Sequence, residues 1–538
     1  MPYQLSVSSC NIMHLKHLKP IRLFISVCFL TLIAIIFLDY RNIIPSATVR
    51  GILYFQFVPS LLNFFNTVAY SATGFIVIVI LTIFFGRVYC SSFCPLGTLQ
   101  DVIGFAVYKK MSRRGYQYKA PHNVIRYSIL ILTFLLLLSG TGFLLNFLDP
   151  YSNFGRIFSN LFRPVVIILN NLIAVVCEKL DLHIIYLVRW PVFLPVSLVI
   201  VMIFLFILSW FSIKKGRLYC NTICPVGTLL GLLSKIAIFQ IIINPDNCKK
   251  CKQCERVCKA GCIDLQTHLI DISRCVACYN CLAVCQRDGL QFENIWKRKF
   301  FSDKMIKVET ERRGFMLKSA IWLIGLTAFE AQTKAIIQNK LTTEPIIVNS
   351  PVSPPGSLSI EHFTSNCTAC HLCVTACPSR VLQPSFLEYG FLNIMQPRMN
   401  FSESYCSYEC RICMDICPSG AILPIELEKK KRIQTGVAKF HKKNCVVYTD
   451  NTNCGACSEH CPTKAVDMVP YPNSANKQLV IPEVNTDYCI GCGACEHACP
   501  TKPYKAIYVD GHPVHKWAQK PVVKKLDNKI NYEDDFPF

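Results

Sequence analysis

The feature that most constrains this chain is a doubled run of cysteines between residues 248 and 285. Each half has the spacing C-x-x-C-x-x-C-x-x-x-C. A thiolate at every third residue lets one loop wrap three corners of a cubane cluster, while the fourth Cys reaches the neighbouring cluster. A structural zinc site does not fit, because it uses two separated C-x-x-C pairs and only four Cys. The spacing therefore predicts two [4Fe–4S] clusters, one held by Cys248, Cys251, Cys254 and Cys285 and the other by Cys275, Cys278, Cys281 and Cys258.

Four further cysteine groups lie in the last third of the chain, and each ends in a Cys followed by Pro. Proline ends a ligand loop and fixes φ in the segment that follows. The first and last groups have the short C-x-x-C-x-x-C spacing, whereas the second and third are wider. Together they predict four more [4Fe–4S] clusters, six in all, with ligands exchanged between paired groups. The groups are Cys367, Cys370, Cys373 and Cys377; Cys406, Cys410, Cys413 and Cys417; Cys445, Cys454, Cys457 and Cys461; and Cys489, Cys492, Cys495 and Cys499.

The composition places much of the remaining chain in a membrane. Of 538 residues, 52% are hydrophobic, and this length favours several domains. A secreted disulfide scaffold would be short and without spans, so the 32 Cys do not indicate one. We predict an α-helical membrane domain of about four transmembrane helices, joined to α+β bacterial-type ferredoxin domains. The predicted spans are residues 21–38, 68–85, 124–148 and 191–211, and residues 161–176, which carry Arg163 and Asn170, are predicted to form an interfacial helix outside the bilayer core.

The excess of basic residues orients the membrane domain. The net charge is +22, and clusters of Lys and Arg follow the second and fourth predicted spans. Positively charged loops stay in the cytoplasm, which places the N-terminus and the cysteine run at 248–285 on that side. The sequence has no aromatic and basic pattern typical of RNA-binding modules, so we expect no nucleic-acid partner.

An internal repeat follows two of the predicted spans. GRVYCSSFCPLGTLQD begins at Gly86, and GRLYCNTICPVGTLLG begins at Gly216. Each copy pairs two Cys at i and i+4, on one side of a helical turn. Two copies at matching depth predict a pseudo-twofold arrangement at the inner membrane face in which Cys90, Cys94, Cys220 and Cys224 converge. Either the four thiols form a metal or redox site, or they are reduced packing residues; C-x-x-x-C alone does not decide between these.

A segment similar to an export signal precedes the last cysteine groups. Arg312 and Arg313, followed by a short apolar run, are similar to a twin-arginine export signal, which is either cleaved or retained as a fifth span; the alternative is a basic linker. Export would place the last third of the chain outside the cytoplasm. The predicted domains are a membrane domain (1–240), a two-cluster ferredoxin (241–295), the signal-like segment (308–332), a Pro-rich linker (333–365), a four-cluster ferredoxin (366–515) and a polar tail (516–538).

Two families resemble the two halves of the chain. The GR-x-YC-x-x-x-CP-x-G-T repeats followed by paired cluster runs resemble the NapH family of membrane ferredoxins. The twin-arginine segment and the stretches CSYECRICMDICPSGAI and NCVVYTDNTNCGACSEHCP resemble the NapG/MauM ferredoxins. These families are usually separate polypeptides, and here they look fused. The resemblance implies a protein of the bacterial inner membrane that passes electrons from the quinol pool to a periplasmic partner. It also suggests that the first and fourth of the later cysteine groups pair, as do the second and third.

The residues themselves favour an electron carrier without acid–base catalytic residues. The lead hypothesis is quinol oxidation that feeds an extracytoplasmic reductase; the alternative is a maturation or repair factor that reduces metal centres or cysteines in a partner enzyme. The predicted spans contain no His for haem, so a quinol site must lie at a membrane face. Asp39 and Asp149 lie at outer span ends, where proton acceptance competes with the favoured interpretation as helix caps. Cys262 is expected to be a bystander of the first run.

Overall fold

The computed structural model describes residues 8–67, 73–111, 115–183, 185–190, 195–286, 289–296, 343–346, 348–471 and 479–520. The chain divides into two compact units. The first comprises Met1–Ile337, Ile360–Arg398 and Arg411–Pro424, and the second comprises Gln338–Ser359, Met399–Cys410 and Ile425–Phe538. The predicted ferredoxin domain at 366–515 is therefore shared between the two units. The predicted signal-like segment, 308–332, and residues 521–538 of the predicted tail lie outside the described residues.

The first unit is built mainly from helices, whose limits are set by glycine and proline. Gly86 and Gly216 have positive φ and end the helices that precede the two cysteine repeats. Pro95 and Pro225 begin the helices that follow the repeats, because proline is well tolerated at the first helical position. The helices are Ser8–Leu38, Ser46–Leu53, Phe57–Thr67, Gly74–Phe85, Val88–Ser92, Pro95–Met111, Asn123–Leu138, Phe143–Leu148, Pro150–Ile157, Arg163–Lys179, Pro195–Lys215 and Pro225–Ser234, with π-helical turns at Phe158–Phe162 and Tyr219–Ile223.

Three helices of the described chain are long and apolar enough to cross a membrane. They are His17–Leu38, Pro150–Lys179 and Pro195–Lys215, and the first and third coincide with predicted spans. The predicted spans at 68–85 and 124–148 contain shorter apolar helices among the described residues. The second of these is interrupted after Leu138 by the sequence Ser-Gly-Thr-Gly, which is unfavourable in a helix. The predicted number of about four transmembrane helices is therefore not confirmed.

The structure corrects the prediction for residues 161–176, which belong to the thirty-residue helix Pro150–Lys179 and not to a separate interfacial helix. The polar side chains that led to that prediction are buried and bonded within the first unit. Arg163 donates to a backbone carbonyl oxygen, and Tyr40 donates to Asn170 Oδ1 at 2.6 Å. Leucine and valine side chains cover much of the outer side of the same helix. A helix can face lipid when its polar groups are satisfied inside the protein.

Short antiparallel strand pairs accompany the cysteine motifs. In the first unit, Phe239–Ile243 pairs with Leu290–Asn294, and these strands bracket the doubled cysteine run. In the second unit, Ile433–Phe440 pairs with the long strand Ile507–Trp517. Two-stranded sheets combined with one-turn helices agree with the predicted α+β ferredoxin class.

Candidate iron–sulfur sites and the cysteine repeat

The four cysteine groups with the short C-x-x-C-x-x-C spacing share one backbone conformation. In each group the second and fourth residues after the first Cys have φ between +49° and +77°. These residues are Lys250, Lys252, Ala277, Tyr279, Ala369, His371, Gly491 and Gly493. Left-handed φ costs an L-residue roughly 1–2 kcal/mol, so bulky side chains adopt it only where the loop requires it. Because this energetically unfavourable conformation recurs in all four loops, we infer that the loops bind the same kind of ligand.

The eight predicted ligands of the first run line two cavities. One cavity, of about 280 Å³, is lined by Cys248, Cys251, Cys254 and Cys285, and the other by Cys258, Cys275, Cys278 and Cys281. Burial raises the pKa of the Cys254 thiol to about 11, and the other three thiolates of its set add to the rise. Thiols that oppose one another's ionisation fit a polycationic iron cluster, because binding replaces their protons. The structure thus brings together both ligand sets that the spacing predicts.

Cys262 lies among these thiols, although the sequence suggested a bystander. Its Sγ atom is 3.6 Å from Cys258 Sγ, and it lines the same cavity as Cys275, Cys278 and Cys281. Its side chain is 1% exposed. In the sequence, Cys262 follows Cys258 by four residues, which is the spacing of the C-x-x-x-C repeats. This spacing is the signal that could have identified Cys262.

The last cysteines of three later groups, Cys417, Cys461 and Cys499, lie near the leading cysteines of a neighbouring group. In the first unit, burial raises the pKa of the Cys373 thiol, and the thiolates of Cys367, Cys370 and Cys417 add to this rise. In the second unit, Cys499 lines one cavity with the three leading cysteines of the third group. Conversely, Cys461 lies near the three leading cysteines of the fourth group.

These neighbours correct the pairing that the family resemblance suggested. In the second unit the third and fourth groups are neighbours, which differs from the suggested pairing of the second group with the third. The physical reason is tertiary packing within each unit, since Cys417 belongs to the same unit as the first group, whereas the third and fourth groups lie in the other unit.

The two C-x-x-x-CP repeats interlock through exchanged arginines. Arg87 of the first copy donates to the carbonyl oxygen of Cys220 in the second at 3.0 Å. Arg217 of the second copy donates to the carbonyl oxygen of Cys90 in the first. Both guanidinium groups are at most 1% exposed. The predicted pseudo-twofold relation is therefore present as a reciprocal pair of hydrogen bonds.

Glycine is required where each arginine meets the partner copy. A Cβ atom on Gly97 would lie 2.5 Å from the carbonyl oxygen of Cys90, and one on Gly227 would lie 2.2 Å from that of Cys220. The same hypothetical atoms would approach Arg217 and Arg87. The glycine of the CP-x-G-T sequence thus leaves room for the exchange.

The four repeat cysteines are buried together, each 3–4% exposed. Backbone N–H groups of Gly97 and Gly227 donate to Cys94 Sγ and Cys224 Sγ at 3.4 and 3.3 Å. Burial raises the pKa of Cys94, and the nearby thiolates of Cys220, Cys90 and Cys224 add to the rise. Donors to sulfur and two adjacent guanidinium groups suit an anionic thiolate-ligated centre.

Throughout the described part of the chain, no three His, Cys, Asp or Glu side chains gather as ligands of one ion. Zinc, for example, holds its sulfur ligands about 2.3 Å from one point. Thiolates of a cluster bind different iron atoms and lie farther apart.

The first cysteine run is held against the repeats by buried polar contacts. Arg87 and Arg126 both donate to the carbonyl oxygen of Ser273, at 3.1 and 2.7 Å, two residues before the ligand loop. Asp101 forms ion pairs with Arg217 at 2.8 Å and with Lys259 at 3.2 Å. These bonds place the second predicted ligand set next to the repeat thiols.

The first of the later cysteine groups, residues 367–377, contacts a different part of the helices. Its His371 accepts from Asn160 at 3.3 Å in the π-helical turn and donates to the carbonyl oxygen of Met395 at 2.9 Å. A Cβ atom on Gly155 would lie 2.5 Å from the Cys370 carbonyl oxygen and from the Phe37 ring. This group therefore contacts helix Ser8–Leu38 close to its C-terminal end.

Asp149 caps a helix, whereas Asp39 bonds the loop that follows helix Ser8–Leu38. Asp149 accepts from the backbone and hydroxyl of Ser152 at 2.8 and 2.6 Å, at the start of helix Pro150–Ile157. Asp39 accepts from the backbone N–H groups of Arg41 and Ile44. The capping interpretation is thus confirmed for Asp149. Asp39 additionally lines a cavity of about 190 Å³, whose wall is otherwise largely apolar and includes Asp415.

Comparisons with known sequences bear on the same segments. A family described as "4Fe-4S binding domain" matches residues 68–114 and 194–244, which contain the two repeats, and another of that description matches 245–261. Families described as "4Fe-4S dicluster domain" match 366–422 and 451–502. This chain is an iron–sulfur electron-transfer protein. The match at 366–422 covers the first two of the later groups, and the match at 451–502 covers the fourth group together with Cys454, Cys457 and Cys461 of the third.

Several curated proteins are similar to parts of the chain. An uncharacterized protein of Methanocaldococcus jannaschii is 29% identical over 42% of this chain and 79% of its own length. The ferredoxin-type protein NapH of Escherichia coli K12 is 26% identical over 42% of this chain and 68% of its own length. The ferredoxin-type protein NapG of Haemophilus influenzae is 30% identical over 34% of this chain and 65% of its own length. No solved structure matches.

Proposed function

We propose that this protein passes electrons from the quinol pool to an extracytoplasmic reductase, and that its clusters also connect this route to the cytoplasmic face of the bacterial inner membrane. One observation carries the proposal. Helix His17–Leu38 packs against the first cysteine run at Leu18 and against the Cys367 group at Phe37. Nineteen residues of helix span roughly 28 Å, close to the thickness of a hydrocarbon core. Thiolate groups at both ends of one span suit transfer from one face to the other.

The repeat cysteines occupy the interval between these ends. Arg22 donates to the Ser91 carbonyl oxygen at 3.0 Å, and Ser26 bonds Thr98 at 3.0 Å, so the first repeat lies against the same helix. Electron tunnelling slows steeply with distance, and a cofactor held by Cys90, Cys94, Cys220 and Cys224 would divide the path. We therefore favour a redox centre over reduced packing residues at the repeat.

The 24 cysteines of the six groups would hold six [4Fe–4S] clusters, which supply one-electron transfer when bound. The residues of the chain fit this role, since loops with positive φ, buried thiols and cysteines contributed by a neighbouring group recur at the predicted sites. Loop charge would place the basic loops and the first run in the cytoplasm, and the twin-arginine-like segment would place the later groups outside it. The likeness to NapH and NapG supports a fusion of two such proteins in one chain.

The cavity beside Asp39 is our proposed quinol site. Ile36, Leu372 and Ile412 give it apolar walls, and it lies at the end of a membrane helix. Oxidation of a quinol releases two electrons and two protons. A cluster held by the adjacent Cys367 group would accept the electrons one at a time, and the Asp415 carboxylate, which pairs with Arg411 at 3.2 Å, would take the protons in turn.

The test is quinol oxidation by the purified chain in liposomes with a soluble electron acceptor. Asp415→Asn should lower the rate at least tenfold by the usual scale of proton-transfer catalysis, while iron content and binding of a quinol analogue persist. Asp467→Asn is the matched control, because Asp467 is exposed in the second unit. No quinol oxidation by the wild-type chain would reject the proposal. A maturation factor, by contrast, would become dispensable once its partner enzyme had been assembled.

A further inference from the structure

A cavity of about 490 Å³ lies on the basic side of the first unit and plays no part in the proposed electron path. Its wall combines the loop that contains Lys119, the end of helix Pro195–Lys215 and the loop of the first cysteine run around Gly261. Five cationic side chains line it. They are Lys119, Arg126, Lys214, Lys215 and Arg274.

Two of these cations are buried and incompletely bonded. Arg126 is 1% exposed and Arg274 is 5% exposed. Arg126 Nε and Arg274 Nη2 have no hydrogen-bond acceptor among the described residues. A buried N–H group without an acceptor is costly, so an oxyanion in the cavity would relieve both.

The nearby carboxylates are already engaged. Asp271 accepts from Arg274 Nε at 2.6 Å, and Glu255 accepts from the Tyr118 backbone at 2.9 Å. Within the described chain, Lys119, Lys214 and Lys215 form no ion pair. Burial lowers the pKa of Lys119, and the charge of Lys215 lowers it further, as expected where positive charge is not neutralised.

The cavity lies beside the C-terminal end of helix Pro195–Lys215, which carries residues typical of a membrane surface. The neighbouring helix ends in Lys214 and Lys215, and Lys214 Nζ lies 5.4 Å from the centroid of the Trp210 ring. Trp210 is 54% exposed. Exposed Trp followed by Lys at the end of an apolar helix is typical of the headgroup region.

We propose that this cavity binds the phosphate headgroup of an anionic phospholipid. The phosphate would bond the free N–H groups of Arg126 and Arg274 and be surrounded by the three lysines. Because Arg126 also holds Ser273, the lipid would fasten the first cysteine run to the membrane domain. A free phosphate has the same headgroup chemistry, but the position beside Trp210 favours the lipid.

The test compares lipid retention by the full chain in native mass spectrometry and in nanodiscs. The cavity variant Lys119→Gln/Lys215→Gln changes exposed side chains, so folding is preserved. Lys179→Gln/Lys235→Gln removes the same charge from exposed sites outside the cavity. Circular dichroism and iron content check both proteins.

Phosphatidylglycerol should remain bound to wild type and to the control variant, and phosphatidylcholine should not. The cavity variant should bind phosphatidylglycerol about thirty-fold more weakly, given the usual contribution of each basic side chain at an anionic surface. Equal binding by both variants, an equal loss in both, or binding of inorganic phosphate without lipid would each overturn the proposal.

Discussion

Arg87 and Cys220 belong to different copies of the internal repeat, and Arg87 Nη2 donates to the carbonyl oxygen of Cys220 at 3.0 Å. The reverse bond, from Arg217 to Cys90, makes the exchange reciprocal. Each arginine reaches its partner copy only because a glycine lies beneath it. The stability of the repeat should therefore depend on two glycines that are far from each other in sequence.

Replacement of either glycine by alanine should destabilise the first unit. In Gly97→Ala and Gly227→Ala the new Cβ atom meets a backbone oxygen that cannot rotate away, so we expect a loss of about 1–3 kcal/mol in unfolding free energy. Gly104→Ala is the matched control, because its nearest neighbour would be 3.6 Å away and alanine favours a helix. Denaturant unfolding in detergent measures all three; equal stability of Gly97→Ala and Gly104→Ala would contradict the exchange.

The ligand exchange in the second unit predicts which double variants lose additional iron. Cys499→Ala and Cys454→Ala affect the same cysteine set, so their combination should lose about four iron atoms, no more than either alone. Cys499→Ala with Cys492→Ala affects two sets and should lose about eight. Iron analysis of anaerobically purified protein gives both values. The reverse order of losses would mean that each group keeps its own final cysteine.

Burial of His515 makes the second unit sensitive to mild acid. Burial lowers the pKa of His515 to about 4, below its unfolded value near 6.5, and its Nε2 atom contacts Ser353 Oγ at 2.8 Å. The unfolded chain therefore binds more protons between these values. The contribution of His515 is complete above pH 6.5 and falls as the pH is lowered, by about 1–2 kcal/mol at pH 5.

Unfolding of the full chain at pH 7 and pH 5 tests this dependence. His515→Gln can keep the contact to Ser353 without a titrating ring, so its stability should change less between the two pH values. His460→Gln replaces an exposed histidine and should leave the wild-type difference intact. An unchanged pH dependence in His515→Gln would contradict the assignment.

The spacing of cysteines along the sequence predicted the features that short loops determine, but it predicted few of the long-range contacts. The ligand sets of the first run followed from the sequence because one short loop fixes three thiols at once. Helix Pro150–Lys179 was misjudged because Asn170 and Arg163 look unfavourable in lipid until their partners are known. The hydrogen bonds of Arg87 and Arg217 join distant segments, since Arg87 and Cys220 are 133 residues apart in sequence. No periodicity in the sequence reveals such bonds. Cys417 likewise joined the first group only through tertiary packing.

The most direct test of the account measures electron transfer across a sealed bilayer. Liposomes that contain the purified chain would enclose ferricyanide, and dithionite, which does not cross the membrane, would be added outside. The account predicts reduction of the enclosed ferricyanide that depends on the protein and is strongly slowed in Cys281→Ala, whose thiol lies in the second predicted ligand set. Reduction no faster than in protein-free liposomes, with the full iron content present, would contradict it.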